Sequence, residues 1–145
     1  MIVPSVFELG EPLGPPDQPL PAFAQKSALV DATGFGFPAA QSQQPIAAVG
    51  EAAVAVAHLN QLQDSDGAVR QEPLLLSFDG HAVPSMGLAV AAHSLNLGTQ
   101  DIRLLPGEAV QLGRQRIATD ELARVLPQFY PDRDGRAAFA VDSFY

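Results

Sequence analysis

The sequence predicts a single α+β domain, residues 1–145, with about three helices and a largely antiparallel, mixed sheet of seven to nine short strands. Two observations support this fold class. Short apolar runs recur between turns that contain glycine or aspartate, a pattern typical of antiparallel strands. A few other segments space their apolar residues as an amphipathic helix does. The length of 145 residues and the hydrophobic content of 47% suit one folded domain with its own core.

The first third of the chain is predicted to contain two strands and a long irregular segment. Residues 2–9, IVPSVFEL, predict the first strand. Residues 10–21 hold five prolines and two glycines, which favour an exposed loop because proline fits neither a helix interior nor a central strand. Residues 22–32 fit a short helix or an extended run. Residues 33–38 predict a short strand, and residues 41–44 a polar connector.

Two helices are predicted in the middle of the chain. Pro45 suits the first position of one helix. Ser85 suits the N-cap of the other, and Gly98 lies just past its predicted end. The apolar residues that share a face are Ile46, Val49 and Ala53 in the first helix and Leu88, Ala91, Ala92 and Leu95 in the second.

The stretch from His58 to Leu76 predicts a hairpin around Asp64-Ser65-Asp66-Gly67. Aspartate side chains bond nearby backbone groups, and glycine supplies a positive φ. Arg70 lies close enough in sequence to pair with Asp64 or Asp66 and hold the turn. Residues 78–81 predict a second turn, and residues 131–135 repeat the acidic turn chemistry. The last third predicts five short strands, at residues 102–105, 109–112, 115–118, 124–129 and 137–141.

Composition excludes several classes of protein. Eight basic against 16 acidic residues give a net charge of −8 without a basic cluster, so we expect no nucleic-acid partner and no binding to an anionic membrane surface. The absence of cysteine excludes disulfides, thiolate metal sites and a cysteine nucleophile. No signal peptide or membrane-spanning segment is predicted in the chain.

No motif predicts catalysis, a metal or a cofactor. Calcium loops need further ligands, but the corresponding positions hold Leu62 and Pro73 around the first acidic turn and Tyr130 and Val141 around the second. The three histidines lack the spacing of a zinc site. Neither a Gly-x-Ser-x-Gly motif nor a glycine-rich nucleotide loop is present. We therefore expect no enzymatic activity, no metal and no cofactor.

A set of motifs does resemble a known family. In order they are His58-Leu59-Asn60, Asp64, Asp66-Gly67, Arg70, Pro73-Leu74, and Pro84-Ser85 with Leu88. This order resembles the middle of the type-two CHASE domain, whose pattern runs Gly-His-x-Asn, Asp-x-Asp-Gly-x-x-Arg, Pro-Leu and Pro-Ser at a helix start. Residues 117–120 and 137–145 resemble later segments. The chain departs from the pattern at Ala57, where the family favours glycine, and at Ala118, where it favours proline.

The resemblance spans residues 45–145 and implies an internal fragment of an extracellular sensor domain. Such domains lie outside the cytoplasmic membrane, in the periplasm or at the cell surface, as part of a membrane-anchored bacterial receptor. The output domain is implied to be an adenylate or diguanylate cyclase, a histidine kinase or a Ser/Thr kinase. The implied partner is a small-molecule or peptide ligand, and the resemblance is also compatible with a homodimer.

Four polar residues are the predicted ligand contacts: His58, Asn60, Arg70 and His81. They bracket the two turns around an apolar strand. A structural role competes for Asp64, Asp66, Gly67 and Arg70, which suit the turn itself.

Two other functions stay open. One is a protein-interaction module that pairs through a sheet edge near residues 2–9 or 137–145. The other is a small hydrolase that uses scattered Asp and His, which is disfavoured because no nucleophile–base pair is visible.

Overall fold

The structure is a computed structural model, and it describes residues 1–29, 32 and 35–141. Within these residues the chain forms three α-helices, one 3-10 turn and eleven strands. The helices are α1 (Ala22–Gln25), α2 (Ala47–Ala52) and α3 (Met86–Ser94), and the 3-10 turn is Thr99–Asp101. The strands are β1 (Ile2–Leu9), β2 (Phe37–Gln43), β3 (Ala55–His58), β4 (Leu62–Gln63), β5 (Val69–Pro73), β6 (Leu75–Phe78), β7 (His81–Pro84), β8 (Ile102–Leu105), β9 (Ala109–Leu112), β10 (Gln115–Ala118) and β11 (Arg124–Val125).

The predicted α+β class and the single domain are confirmed. The main sheet has five strands in the order β3-β1-β2-β6-β7 and is mixed, because β1 runs parallel to β3 and antiparallel to β2. The strands outnumber the predicted seven to nine. Two of them, β4 and β11, have only two residues each, too few to show alternation in the sequence.

The first strand has the predicted bounds but not an edge position. Its first half, Ile2–Ser5, pairs with β3, and its second half, from Val6 onward, pairs with β2. Pro4 is tolerated because it lies in the half that has a partner on one side only. The predicted edge position of residues 2–9 is therefore wrong, since β1 lies between β3 and β2 in the strand order. Pairing of this strand with another copy of the chain stays a prediction.

Two smaller antiparallel sheets complete the fold. Strands β8, β9 and β10 form a meander whose bounds match the prediction. Gly107 and Gly113 take positive φ values of 72° and 56° in its two turns, a conformation that costs glycine little. The second sheet, in the order β11-β5-β4, contains the acidic hairpin.

Strand β6 joins the two halves of the core. Leu75 and Leu76 are both 0% exposed and, as neighbours in a strand, point to opposite faces. Leu76 packs in a cluster with Phe7 and Phe78, whereas Leu75 belongs to the cluster of α3, β8 and β9. The apolar run that ended the predicted hairpin thus belongs to the centre of the fold.

Helix α2 buries a different face from the one predicted. Ile46 is 72% exposed, whereas Gly50 is buried. A Cβ at Gly50 would lie 2.5 Å from ring atoms of Phe23, so the ring occupies the space that a side chain would need. The close approach of α1 to α2 explains a glycine that weakens the helix by about 1 kcal/mol.

Several predicted boundaries are wrong. The polar connector at 41–44 is mostly strand, because Gln41 and Gln43 pair with β1 through their backbones. Of the strand predicted at 33–38, residues 37–38 belong to β2, while 33 and 34 lie outside the described residues. The strand predicted at 124–129 ends at 125. Residues 137–141 form no strand, and 142–145 are not described.

Candidate functional site

The acidic hairpin holds an ion-pair cluster on the surface. One guanidinium nitrogen of Arg70, Nη1, donates to Asp64 Oδ2 at 2.7 Å and to Asp66 Oδ1 at 2.9 Å. The other, Nη2, donates to Asp66 Oδ2 at 2.8 Å. Arg70 lowers the pKa of the Asp66 carboxyl, with help from the N–H of Ala68, and the carboxylates raise the pKa of Arg70. These atoms are engaged with one another around the turn.

The two acidic turns differ in type. In the first turn only Gly67 has a positive φ, of 80°, and its N–H donates to the carbonyl of Asp64 at 2.8 Å. This is the geometry of a type I turn followed by a bulge at glycine. In the later turn both Asp134 and Gly135 have positive φ, 52° and 72°, as a type I′ turn requires. The shared composition therefore does not give a shared structure.

His58 lies in the interior, at the end of β3. It is 1% exposed, pairs with Ser5 of β1 and forms a bridge with Ser85. Neither ring nitrogen has a hydrogen-bond partner among the described residues. Burial is the larger cause and lowers the pKa of His58 to about 3, while the backbone of Pro73 raises this pKa by a smaller amount. The imidazole is therefore neutral at physiological pH.

Asn60 extends the ladder between β1 and β3 with its side chain. The N–H of Phe7 donates to Asn60 Oδ1 at 2.9 Å, and Asn60 Nδ2 donates to the carbonyl of Phe7 at 2.6 Å. Ahead of it, the N–H of Leu59 donates to the carbonyl of Ser5 at 3.0 Å. The amide thus continues the backbone pairing after β3 has ended.

His81 belongs to the second predicted turn. Asp79 and Gly80 have positive φ values of 50° and 75°, which makes the β6–β7 turn type I′. The Nδ1 of His81 lies 2.8 Å from the carbonyl of Asp79. The Asp79 carboxylate accepts the N–H of Leu20 at 2.9 Å and so ties the end of the proline-rich segment to this turn.

The structure does not bring the four predicted ligand contacts together. His58 is buried, Asn60 bonds to the backbone of β1, Arg70 pairs within its own hairpin, and His81 lies at another turn. None of them lines the cavities described next. Their role in ligand binding stays a prediction.

A cavity of about 790 Å³ lies where the end of α1 meets the 3-10 turn and β8. We call it the α1–β8 cavity; its lining residues are Gln25, Lys26, Ala28, Leu29, Ala32, Thr99, Gln100, Ile102, Arg103 and Leu104. Three other cavities have volumes of about 410, 20 and 590 Å³. Sequence reasoning missed the α1–β8 cavity because its two walls are far apart in the chain and share no motif. The one available signal was that Lys26 is the only lysine.

The described residues contain no group of three or more His, Asp or Glu side chains placed to hold a metal ion. Within the same residues, no helix combines the length and the apolar character needed to cross a bilayer.

The family comparison covers nearly the whole chain. Residues 6–144 match the CHASE2 domain, and the chain belongs to this family of extracellular sensory domains of membrane-bound signalling receptors. The match begins well before Pro45, where the motif resemblance began, so the first third is part of the same domain. Neither the curated proteins nor the solved structures contain a match to the chain.

Proposed function

We propose that this domain is the ligand-sensing part of a membrane-bound bacterial signalling receptor and performs no catalysis itself. In the full-length receptor it would lie on the periplasmic or outer side of the inner membrane. The output domain would be an adenylate or diguanylate cyclase, a histidine kinase or a Ser/Thr kinase. Membership of the CHASE2 family supports the sensory role.

The α1–β8 cavity is the observation that carries ligand binding in this proposal. Its volume of about 790 Å³ falls in the range of small-molecule sites, about 300–1,000 Å³. Five of its described lining residues are apolar and five are polar or charged, so it offers both apolar surface and groups that can fix the orientation of a ligand. The segments around it come from α1 and from β8, so a ligand there contacts both parts of the fold.

The proposed mechanism is a shift between two packings of these segments. A ligand that binds one arrangement of α1 and β8 better than the other changes their populations by its differential affinity. Ile102, on the β8 wall, belongs to the core cluster of α3, so a change at the cavity reaches that helix. In the receptor, the segments that flank the sensor domain would transmit this change in the populations of the two packings to the output domain.

A thermal-shift screen of small metabolites, divalent ions and short peptides tests the proposal. We expect at least one compound to raise the unfolding midpoint with a dependence on its concentration, because a ligand that binds only the folded state stabilises it. Gln100→Trp, which places a bulky ring at the cavity, should reduce the shift. Gln115→Trp, at an exposed position on β10, is the matched control. A domain that is monomeric and indifferent to all compounds would contradict ligand sensing.

The second candidate function is a dimerisation module of such a receptor, without a small-molecule ligand. The observation that favours it is a run of exposed apolar residues after β11: Leu126 is 74% exposed, Phe129 73% and Phe139 68%. Tyr130 and Phe139 stack edge to face with ring centroids 5.5 Å apart. Exposed aromatic residues of this kind are typical of interfaces between proteins.

Light scattering over a range of concentrations tests self-association. If the exposed apolar residues form the interface, the wild type should dimerise, and Phe129→Ser combined with Phe139→Ser should be monomeric with an unchanged circular dichroism spectrum. Monomeric wild type at high concentration would count against this second function.

A further inference from the structure

The charge at the α1–β8 cavity differs from that of the chain as a whole. Acidic residues outnumber basic ones by 16 to 8 in the sequence. Yet among the described residues that line the cavity, the two charged ones, Lys26 and Arg103, are both basic. They come from different elements, Lys26 from the end of α1 and Arg103 from β8, so the fold brings the two cations to one opening.

The other large cavities have the opposite charge. One is lined by Glu11 and Asp79 and another by Asp17, and neither has a basic residue among its described lining residues. In a chain of net charge −8, acidic linings are the expected result. The basic lining of the α1–β8 cavity is therefore a local property with a consequence for what binds there, because a cavity of one sign concentrates ions of the other.

The acidic group nearest to Arg103 along the described chain is bonded elsewhere. Asp101 Oδ2 accepts the N–H of Gly98 at 2.9 Å and Gln100 Nε2 at 3.2 Å. Three other arginines, Arg70, Arg116 and Arg124, each pair with a carboxylate within 4.0 Å. Among the ion pairs of the described residues, neither Arg103 nor Lys26 takes part.

The apolar part of the lining is suited to an apolar group. Leu29 and Ile102 are 5% and 6% exposed and belong to one core cluster, which Leu104 extends at its edge. The cavity thus offers an apolar floor below two exposed cations. A molecule that matches both features has an anionic end and an apolar body.

We propose that the α1–β8 cavity binds a small organic anion, a carboxylate with an apolar body, as the ligand of the sensory function proposed above. Arg103 and Lys26 contact the carboxylate, and Leu29 and Ile102 contact the body. The guanidinium of Arg103 can donate two parallel hydrogen bonds to one carboxylate, while Lys26 adds a point charge. The inference rests on the proposed function and specifies its ligand.

Straight-chain monocarboxylates of increasing length are the probe. We expect them to raise the thermal unfolding midpoint of the domain, more strongly as the chain lengthens, because each added methylene is removed from water on binding. The matched primary alcohols and inorganic phosphate, measured at the same ionic strength, should raise it less. The alcohols lack the charge and phosphate lacks the apolar body.

Two variants and a control locate the effect. Arg103→Gln and Lys26→Gln should each weaken the apparent affinity about tenfold or more, since a hydrogen bond to a charged group is replaced by a neutral one. Arg114→Gln removes an exposed arginine outside the cavity and should leave the affinity unchanged. All three positions are exposed, so the midpoints without ligand should stay close to the wild type.

The outcomes separate the ligand class from the sensory function. Equal shifts from carboxylates and alcohols, equal shifts from carboxylates and phosphate, or an unchanged affinity in Arg103→Gln would overturn the inference. A neutral or cationic compound that alone stabilises the domain would overturn the ligand class and leave the sensory function standing. A domain indifferent to every compound would overturn both.

Discussion

Polar side chains lie in opposite environments in two regions of the molecule: the acidic hairpin, and the buried contact of His58 with Ser5 and Ser85, which we call the seam. In the hairpin, Arg70, Asp64 and Asp66 lie within seven residues of chain, are exposed, and satisfy one another. In the seam, His58, Ser5 and Ser85 come from three distant segments and are 1–2% exposed. The ring of His58 has no hydrogen-bond partner among the described residues.

The hairpin is easy to recognise in the sequence, whereas the seam contributes more to the stability of the fold. Exposed ion pairs contribute little to stability because water and salt screen them. A buried imidazole couples stability to pH, and buried backbone groups that lose a partner are costly. The acidic part of the family motif, Asp64, Asp66 and Arg70, is thus the less stabilising region, whereas His58 and Ser85 of the same motif lie in the buried one. His58 and Asn60 both contact β1, and their role in ligand binding stays a prediction.

The largest expected effect is a pH dependence caused by His58. Its pKa is about 3 in the folded state against an ordinary value of 6.5, so the unfolded chain binds a proton that the folded chain does not. Stability is fully present above pH 6.5 and falls as the pH drops toward 3, with a loss of about 3 kcal/mol at pH 4. Urea unfolding at pH 7 and pH 4 measures this loss.

His58→Gln is the variant that isolates the histidine from the carboxylates, which titrate in both proteins. We expect its stability to change much less between pH 7 and pH 4 than that of the wild type. The same pH dependence in both would show that His58 is not buried as a neutral ring.

The next largest effect is expected at Asn60. Asn60→Ala leaves the N–H and the carbonyl of Phe7 without their side-chain partners, and Phe7 is 4% exposed. The expected loss is about 2 kcal/mol in urea unfolding. Asn60→Asp keeps the acceptor for the N–H but not the donor for the carbonyl. Its stability should therefore lie between that of the wild type and that of Asn60→Ala. An Ala variant as stable as the wild type would mean that the amide does not extend the ladder.

Ser85→Ala tests the seam at the start of α3. The hydroxyl of Ser85 accepts the N–H of Leu88 at 3.2 Å, and its loss should cost about 1 kcal/mol, the usual value for an N-cap. Ser94→Ala, in the last turn of the same helix, is the control and should change little because Ser94 is exposed. Equal effects from both serines would contradict the capping role.

The smallest effect is expected in the hairpin. Arg70→Gln should lower the thermal midpoint slightly at low salt and not measurably at high salt, because both ion pairs are exposed. Arg116→Gln, which breaks the exposed pair with Glu108, should behave alike. A large, salt-independent fall of the midpoint for Arg70→Gln alone would show that the hairpin stabilises the fold as the buried seam does. If a compound raises the thermal midpoint of the wild type but not that of Arg70→Gln, the result would support Arg70 as a ligand contact.

Predictability followed the range of the interactions. The cap at Ser85, the strands of the meander and the turn at residues 78–81 depend on neighbours a few positions away, so their residues predict them correctly. The end of α3 was missed because Asn96, with a φ of 56°, ends the helix before Gly98. Asparagine tolerates this conformation, though glycine is the commoner choice.

The sequence by itself determined the fold class, the acidic hairpin and, through the order of its motifs, the family. Only the tertiary structure decided that β1 lies between two strands, that His58 is buried, and that Lys26 and Arg103 meet at one cavity. The physical reason is the separation in sequence. Turn and cap residues bond to their own neighbours, whereas burial and cavity charge depend on which distant segments pack together, and polarity patterns of single segments do not encode that choice.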